Sequence, residues 1–368
     1  MEASIRVSLG RIIAQGLVPA TAACSPLEAV ENLAALQGQQ ASAIPWAIGV
    51  RCTGVSRARV EESFARGELV RSWPMRGTVH VTSARDHHWL RRLLRHRRAA
   101  WERQALSLGL TDALVERAAQ VACDLLETSP LGVSRVELVE AWGRNGIDTV
   151  TASSSQEGLR RRHLIMRLHL DGVLTAGPVR AGEHLIVDAR SLPAAPGVAK
   201  GEPGHEEALA VLAARYAWGH GPIDEADLAR WTGLTLTEAR RALAGARVAG
   251  ESVGLPLAEC GGGLARADLA DLVEDYRVEA EAMHALPSFD ELHVGYKDRS
   301  CLTDEAGEAL ICPAKNGMFR PIVVEGGRVV AVRAPGREIV MVKGYESRRR
   351  PAARACDDWE KWLSETQQ

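Results

Sequence analysis

The sequence lacks the features that would place it in a membrane or outside the cell. Its 368 residues contain no run of eighteen apolar residues, the length of a transmembrane helix. The first residues, Met1 to Arg6, have neither the basic start nor the apolar centre of a signal peptide. The seven cysteines are widely spaced and include no Cys-x-x-Cys pair, which argues against a disulfide framework and a zinc site. We therefore expect a cytosolic protein with reduced thiols.

The common catalytic motifs are also missing. The chain has no Gly-x-Ser-x-Gly nucleophile elbow, no phosphate-binding Gly-x-x-x-x-Gly-Lys-Ser loop and no His-Glu-x-x-His zinc motif. His87, His88 and His293 stand apart from other groups of catalytic type, so we expect them to be ordinary surface or core histidines. The sequence thus predicts neither a metal nor a cofactor.

The formal net charge of -2 does not indicate a nucleic-acid-binding protein, but the charge is unevenly distributed. Most of the positive charge is arginine, and it is gathered in three clusters at 91–98, 160–162 and 348–354. Because a guanidinium group matches phosphate oxygens in a two-point geometry, one interpretation is an arginine-lined face. The other is that the clusters are solvated faces of helices.

The length and the pattern of elements predict several packed modules. Two helices followed by a two-stranded hairpin recur along the chain, which is the outline of a winged helix. We expect a mainly α fold with small β hairpins (α+β), built from three tandem winged-helix modules and a C-terminal antiparallel β element. The modules are predicted at 1–130 with a long helical extension, at 131–200 and at 201–285, and the β element with its terminal helix at 286–368.

The second and third modules have the clearer local signals. In the second, Ser134 is a helix N-cap, an arginine-rich helix is predicted at 156–171, and a hairpin follows at 172–187. In the third, Gly233 marks the turn of a helix-turn-helix, and Thr235 begins a capping box with Glu238.

The C-terminal element has a different pattern. Gly326-Gly327 lies between two β-branched runs, which is a strong signal for a tight hairpin. A helix is predicted at 353–365, and together these features indicate a small antiparallel sheet closed by a helix.

The most informative segment lies in the first module, at Leu36-Gln37-Gly38-Gln39-Gln40. A helix is predicted at 26–36, with Ser25 as N-cap and Glu28 closing a capping box, and Gly38 is expected to help end it. Gln37 and Gln39 can share one side of the backbone only in an extended segment, because side chains alternate with a period of two in a strand. The two side-chain amides are therefore expected to lie side by side just after the predicted helix. Strands at 69–73 and 78–82 and a helical stretch at 84–127, interrupted near Gly109, complete the module.

Four features in combination resemble a known family, the winged-helix bacterial DNA glycosylases that unhook interstrand cross-links. They are the Gln37-x-Gln39 segment, the motif Met75-Arg76-Gly77-Thr78-Val79-His80, the winged-helix outlines, and the segments 286–291 and 295–299. The resemblance extends over essentially the whole chain. It implies a monofunctional hydrolase that cleaves the N-glycosidic bond of N7-alkylguanine, including cross-links of the azinomycin type, in DNA repair and antibiotic self-resistance. The implied partner is double-stranded DNA containing alkylated guanine, bound by a nucleoid-associated monomer without metal or cofactor.

The resemblance also implies two catalytic residues, and the residues themselves suggest contacts to DNA. Gln37 and Gln39 correspond to the catalytic Gln-x-Gln pair, and a related branch of the family has aspartate at the second position. Arg160, Arg161 and Arg162 are expected to contact phosphates. For Arg76 and His80, both DNA contact and structural hydrogen bonding are consistent with their place around a turn.

Two further expectations and two alternative functions follow. An amide is too weak a base to deprotonate water, so the glutamines would position it instead. Asp290 and Glu291 are expected to orient the C-terminal sheet, and the alternative is that a carboxylate near the DNA channel helps to stabilise an oxocarbenium ion. Two other functions use the same modules, namely a winged-helix transcription regulator and a non-catalytic damaged-DNA-binding protein.

Overall fold

The computed structural model describes residues 2–97, 104–147, 154–193 and 197–365, and the chain forms two units. Unit 1 contains Met1–Val60 and Glu206–Gln368, and unit 2 contains Glu61–His205. The fold is α+β with small antiparallel sheets, as the sequence predicts. The division into three winged-helix modules and a β element stays a prediction. The boundary between the units near residue 60 lies inside the first predicted module.

The N-terminal part of unit 1 consists of three helices and one short strand. These are α1 (Glu2–Ala14), α2 (Pro26–Asn32), β1 (Leu36–Gln37) and α3 (Ile44–Gly49). Helix α1 was not indicated by the sequence pattern, yet Leu9, Ile12 and Ile13 lie fully inside the main core of this unit. Ser25 caps α2 through the backbone N–H of Glu28, as expected, but the Glu28 carboxylate accepts from Cys24 and not from Ser25.

The described residues of unit 2 form four strands and the helices packed on them. Helix α4 (Arg57–Ala65) runs from unit 1 into unit 2. The other elements are β2 (Leu69–Met75), β3 (Thr78–Ser83), α5 (Ala84–Leu94), α6 (Asp112–Glu127), α7 (Arg135–Arg144), α8 (Ser154–Leu170), β4 (Leu174–Arg180) and β5 (Glu183–Asp188). Within the unit these strands pair antiparallel in the order β3-β2-β4-β5.

The local predictions for unit 2 are confirmed. Both hairpins form, and Ser134 caps α7 in a complete capping box. Trp142 is fully buried in the core of the unit and donates its indole N–H to the Ala118 carbonyl at 3.0 Å. In the predicted helical stretch 84–127 the described residues form α5, a 3-10 turn at 95–97, a helical segment at 104–107 and α6, and residues 98–103 lie outside the described residues.

The remainder of unit 1 contains the predicted helix-turn-helix. Gly233 has a φ of 81°, as the turn requires, and Thr235 and Glu238 form the capping box. The helices and strands of this part are α9 (His205–His220), α10 (Glu225–Thr232), α11 (Leu236–Ser252), β6 (Leu257–Cys260), β7 (Gly263–Arg266), α12 (Leu269–Asp275), α13 (Arg277–Glu281), β8 (His284–Leu286), α14 (Glu291–Val294), α15 (Glu305–Ile311), β9 (Ile322–Glu325), β10 (Arg328–Arg333), β11 (Ile339–Met341) and α16 (Arg349–Ser364).

The C-terminal sheet and helix agree with the sequence pattern. The strands pair antiparallel in the order β11-β10-β9-β8, and Gly326-Gly327 forms the hairpin between β9 and β10. Helix α16 covers the sheet, and its Trp359 stacks on Trp46 of α3 with ring centroids 6.2 Å apart. Among the described residues no helix combines the length and the apolar character needed to span a bilayer.

Candidate active site

The two glutamines of the Gln-x-Gln segment lie at the end of β1 in unit 1. Gln37 is extended and only 9% exposed, whereas Gln39 is half-buried. The preceding helix ends at Asn32, and Ala34 takes a φ of +60° immediately after it. The expectation that Gly38 ends the helix is therefore wrong. The left-handed turn at Ala34 redirects the chain two residues before the strand, so that Gln37 leaves the turn in an extended conformation.

The short helix α14 lies beside β1 and is held by a buried ion pair. Asp290 caps α14 by accepting from the backbone N–H of Leu292 at 2.9 Å. Its carboxylate also accepts two hydrogen bonds from Arg51, at 2.8 and 2.9 Å. Arg51 donates further to Gln15 and to the carbonyl of Ala47. The side chains of Arg51 and Asp290 are almost completely inaccessible to solvent. This buried pair therefore holds α14 in place beside β1, the strand that contains Gln37.

The electrostatics of the pair favour its charged form. Burial alone would lower the pKa of Arg51, yet the charge of Asp290 and their shared hydrogen bonds together raise it above the ordinary value. Glu291, the next residue, is also buried and accepts from the indole N–H of Trp231 at 3.2 Å. Both carboxylates are therefore buried in unit 1, where Asp290 is bonded to Arg51 and Glu291 to Trp231 of α10.

The segment 295–299 is anchored in the same interior. The Tyr296 hydroxyl donates to the His220 carbonyl and accepts from Gln15, and the guanidinium of Arg11 lies 3.7 Å from the centre of its ring. Arg11 also pairs with Asp227 at 2.9 Å. Because Gln15 bonds both Tyr296 and Arg51, one continuous polar network extends to the ion pair that supports α14.

A second polar cluster involves His293 of α14. Its Nε2 lies 2.9 Å from the carboxylate of Glu308, which is also 3.3 Å from Arg299. Its ring packs against Phe319 with centroids 5.1 Å apart. Burial lowers the pKa of His293, so the imidazole is neutral at pH 7, and with its proton on Nε2 it donates a hydrogen bond to the Glu308 carboxylate. Sequence reasoning treated His293 as isolated, because nothing in the local pattern connects it to a residue on α15.

In unit 2, Arg76 and His80 are joined across the β2–β3 turn. Arg76 and Gly77 both have positive φ, +54° and +70°, which is the conformation of a type I′ hairpin turn. An Arg76 nitrogen lies 3.2 Å from His80 Nε2, and His80 Nδ1 lies 3.0 Å from the Thr78 carbonyl. His80 is completely buried, and burial together with the charge of Arg76 lowers its pKa well below the usual value. A neutral His80 therefore donates to Thr78 and accepts from Arg76, and it has no surface of its own for DNA.

The Arg160–162 cluster lies on α8. Arg162 is exposed and Arg160 and Arg161 are half-buried. Neither Arg160 nor Arg162 forms an ion pair within the described part of the chain. The apolar side of the helix, including Leu164, Ile165 and Leu168, is buried in the core of unit 2, so the helix has the two faces that the sequence predicts.

The other arginine cluster of unit 2 has a structural role. Arg91 and Arg95 both donate to the carbonyl of Leu170 at the end of α8, and Arg95 also pairs with Asp171. Arg92 pairs with Glu202. These contacts satisfy the C-terminus of a helix, where cations are favourable.

Comparisons with known proteins agree with the architecture. A family model described as DNA glycosylase AlkZ-like matches residues 30–342. The structure of the DNA glycosylase AlkZ of Streptomyces sahachiroi matches with a TM-score of 0.65 and 21% sequence identity, covering 96% of each chain. No curated protein matches. At this identity the structural likeness shows a shared fold, whereas the family model covers most of the sequence. The chain therefore belongs to the AlkZ-like DNA glycosylase family.

Proposed function

We propose that this glycosylase hydrolyses the N-glycosidic bond of N7-alkylguanine in double-stranded DNA, including guanines held in interstrand cross-links. The observation that supports the proposal is the Gln37-x-Gln39 segment, whose first glutamine lies in the strand β1 beside α14, in a chain of this family. The biological role that follows is DNA repair and resistance to alkylating antibiotics in the cytoplasm, performed by a monomer.

The proposed reaction requires a correctly positioned water molecule more than it requires a strong base. The bond between C1′ and N9 breaks, its electron pair leaves with the purine, water forms a new bond to C1′, and the water proton passes to solvent. N7-alkylation has already given the purine a positive charge, so it departs as a neutral base without being protonated. Gln37 and Gln39 hold the water by hydrogen bonds, since a carboxamide oxygen accepts and its NH2 group donates. The enzyme thereby supplies orientation, and the lesion supplies the leaving group.

Contacts to the DNA backbone belong to unit 2 in this proposal. Arg160, Arg161 and Arg162 are assigned to phosphates, which would give affinity without sequence selectivity. Arg76 is assigned to DNA contact at the hairpin turn. Because His80 is buried and bonded to Arg76, its assigned role is to orient that guanidinium.

The test is release of base from a duplex that carries a single N7-methylguanine, followed as abasic sites after alkaline cleavage. Gln37→Ala and Gln39→Ala should each lower the single-turnover rate about 100-fold, the effect of misplacing a reacting group. Gln39→Asp should keep much of the rate, because a carboxylate also accepts from water and can act as a base. Gln120→Ala is the matched control, since Gln120 is an exposed glutamine on α6.

Each outcome distinguishes among the functions that share this architecture. Release by wild type and by Gln120→Ala, with loss in both site variants, supports the proposal. Binding to the lesion without release would indicate a damage sensor. Tight binding to one undamaged sequence would indicate a transcription regulator.

A further inference from the structure

The chain passes from the Gln-x-Gln segment almost directly into helix α3. Gln40 is followed by one turn of 3-10 helix, Ala41–Ala43, and α3 begins at the next residue, Ile44. The backbone N–H of Ala43 donates to the carbonyl of Gln40 at 3.0 Å. Because a 3-10 turn that continues into an α-helix moves with it, the position of α3 determines where the backbone at Gln39 and Gln40 lies.

The C-terminal helix α16 holds α3 through three tryptophans. The ring of Trp46, on α3, stacks on Trp359 and meets Trp362 edge-on, with centroids 6.2 and 5.1 Å apart. The indole N–H of Trp46 donates to the Ala285 carbonyl of β8 at 2.8 Å. That of Trp362 donates to the Val55 carbonyl at 2.9 Å. Each hydrogen bond fixes the orientation of a ring, so α3 and α16 are held in one arrangement.

The indole of Trp362 also packs directly against the backbone of Gly49, the last residue of α3. A Cβ at this position would lie 2.5 Å from Cη2 of Trp362 and closer still to Cζ2, well inside van der Waals contact. Gly49 does not have a positive φ, so its backbone conformation would accept any residue. The close approach of the indole is therefore what requires a glycine here.

Helix α3 is connected to both sides of the candidate site. Arg51, two residues after α3, forms the buried pair with Asp290 that holds α14 beside β1 and Gln37. The 3-10 turn before α3 leads back to Gln39. A displacement of α3 from α16 would therefore be transmitted to both glutamines. Small displacements of groups that position a reactant are costly to the rate.

We propose that Gly49 and Trp362 are positioning residues for the chemical step, and that the C-terminal helix acts through them on the glutamines without touching the substrate. This inference rests on the proposed function and adds to it the contact that sets the geometry of its site. Neither residue is assigned to DNA. Disturbing their contact should therefore slow base release and leave the affinity for the duplex unchanged.

The experiment is a double-mutant cycle on release of base from a duplex that carries one N7-methylguanine. Gly49→Ala should lower the single-turnover rate at saturating enzyme about 10-fold or more, with the half-saturating enzyme concentration within about 2-fold of wild type. Trp362→Leu removes the ring atoms that the new methyl group would meet, so in that background Gly49→Ala should cost less than about 2-fold. Rates are expressed per folded protein, from far-UV circular dichroism.

The matched control is Gly250→Ala, on helix α11. A Cβ at Gly250 would overlap the carbonyl oxygen of Leu255, so this variant also loses stability through a clash at a glycine. Helix α11 packs on α10 and β6, away from α3 and α16. The folded fraction of Gly250→Ala should therefore release base at the wild-type rate.

The outcomes separate this inference from the function on which it rests. A slower rate in Gly49→Ala that largely disappears in the Trp362→Leu background, with Gly250→Ala unaffected, supports it. If Gly49→Ala does not fold, Trp362→Leu decides alone: a lower rate with unchanged half-saturation supports the inference, and a wild-type rate overturns it.

Four other results overturn the inference alone, provided that wild type releases N7-methylguanine. These are a wild-type rate in Gly49→Ala, an equal loss in both backgrounds, a loss that lies in the half-saturating concentration, and an equal loss in Gly250→Ala. A wild type that releases no base overturns the proposed function and this inference together.

Discussion

Removing the carboxylate of the buried Arg51–Asp290 pair should destabilise unit 1 severely. The two side chains are 1% and 0% exposed, and Asp290 accepts two of the hydrogen bonds of Arg51. Asp290→Ala would leave a buried guanidinium whose remaining acceptors, in the part of the chain that the structure describes, are Gln15 and the Ala47 carbonyl. Loss of one partner from a buried pair costs about 3–5 kcal/mol, because the remaining charge is uncompensated. Asp290→Asn keeps an oxygen acceptor for Leu292 and should lose less.

The matched control is the surface pair of Arg6 and Glu274, which has a similar distance of 2.9 Å but side chains 52% and 59% exposed. Glu274→Ala should cost no more than about 1 kcal/mol. Urea unfolding followed by tryptophan fluorescence gives both values from the midpoint and the slope. If Asp290→Ala loses no more stability than Glu274→Ala, the reasoning about the buried charge is refuted. Because Asp290 caps α14 beside β1, the folded fraction of Asp290→Ala should also show slower base release than Glu274→Ala.

Two further changes test the packing. His87 is buried, its ring nitrogens have no hydrogen-bond partner among the described residues, and burial lowers its pKa well below 6.5. The unfolded chain therefore takes up a proton below about pH 6.5 that the folded chain does not, so the wild type should lose stability between pH 7 and pH 5. The Tm of His87→Leu should fall less over the same range. An equal fall in Tm for both proteins would contradict this reasoning. A Cβ at Gly219 would lie 2.0 Å from the Asn32 carbonyl oxygen, whereas one at Gly143 meets no described atom within 4 Å, inside helix α7. Gly219→Ala should thus lower the Tm strongly, whereas Gly143→Ala should raise the free energy of unfolding by up to about 1 kcal/mol. A stabilised Gly219→Ala or a destabilised Gly143→Ala would contradict the packing.

Local signals were sufficient for the elements whose ends are set by nearby residues. Ser134 and Thr235 form capping boxes with residues three positions away, and Gly233 needs only its own backbone freedom to make the turn. The Gly326-Gly327 hairpin is confirmed for the same reason. Each of these features depends on hydrogen bonds or φ angles within a few residues, which a single sequence displays directly.

The interior of the candidate site could not be predicted in this way. Arg51 and Asp290 are 239 residues apart, and no pattern in either segment indicates its partner. His293 and Glu308 lie on separate helices, and their pairing depends on the packing of the segment between them. The helix end at Asn32 could not be predicted, because the positive φ that follows it belongs to the buried Ala34, a residue type that rarely adopts it, whereas Gly38 is the conventional signal. Burial and long-range contacts decided all three.

The burial of Gln37 gives a physical reason for an amide at this position. An ionised carboxylate taken out of water is costly unless cations or hydrogen bonds compensate it, whereas a neutral amide carries a much smaller penalty. A site that uses amides has no strong base and no acid, so it cannot protonate a departing purine. Undamaged guanine, which is neutral, would need that proton, but N7-alkylguanine would not. On the proposed mechanism, the positive charge of the lesion therefore provides selectivity at the chemical step, and the protein needs only to hold water and DNA in place.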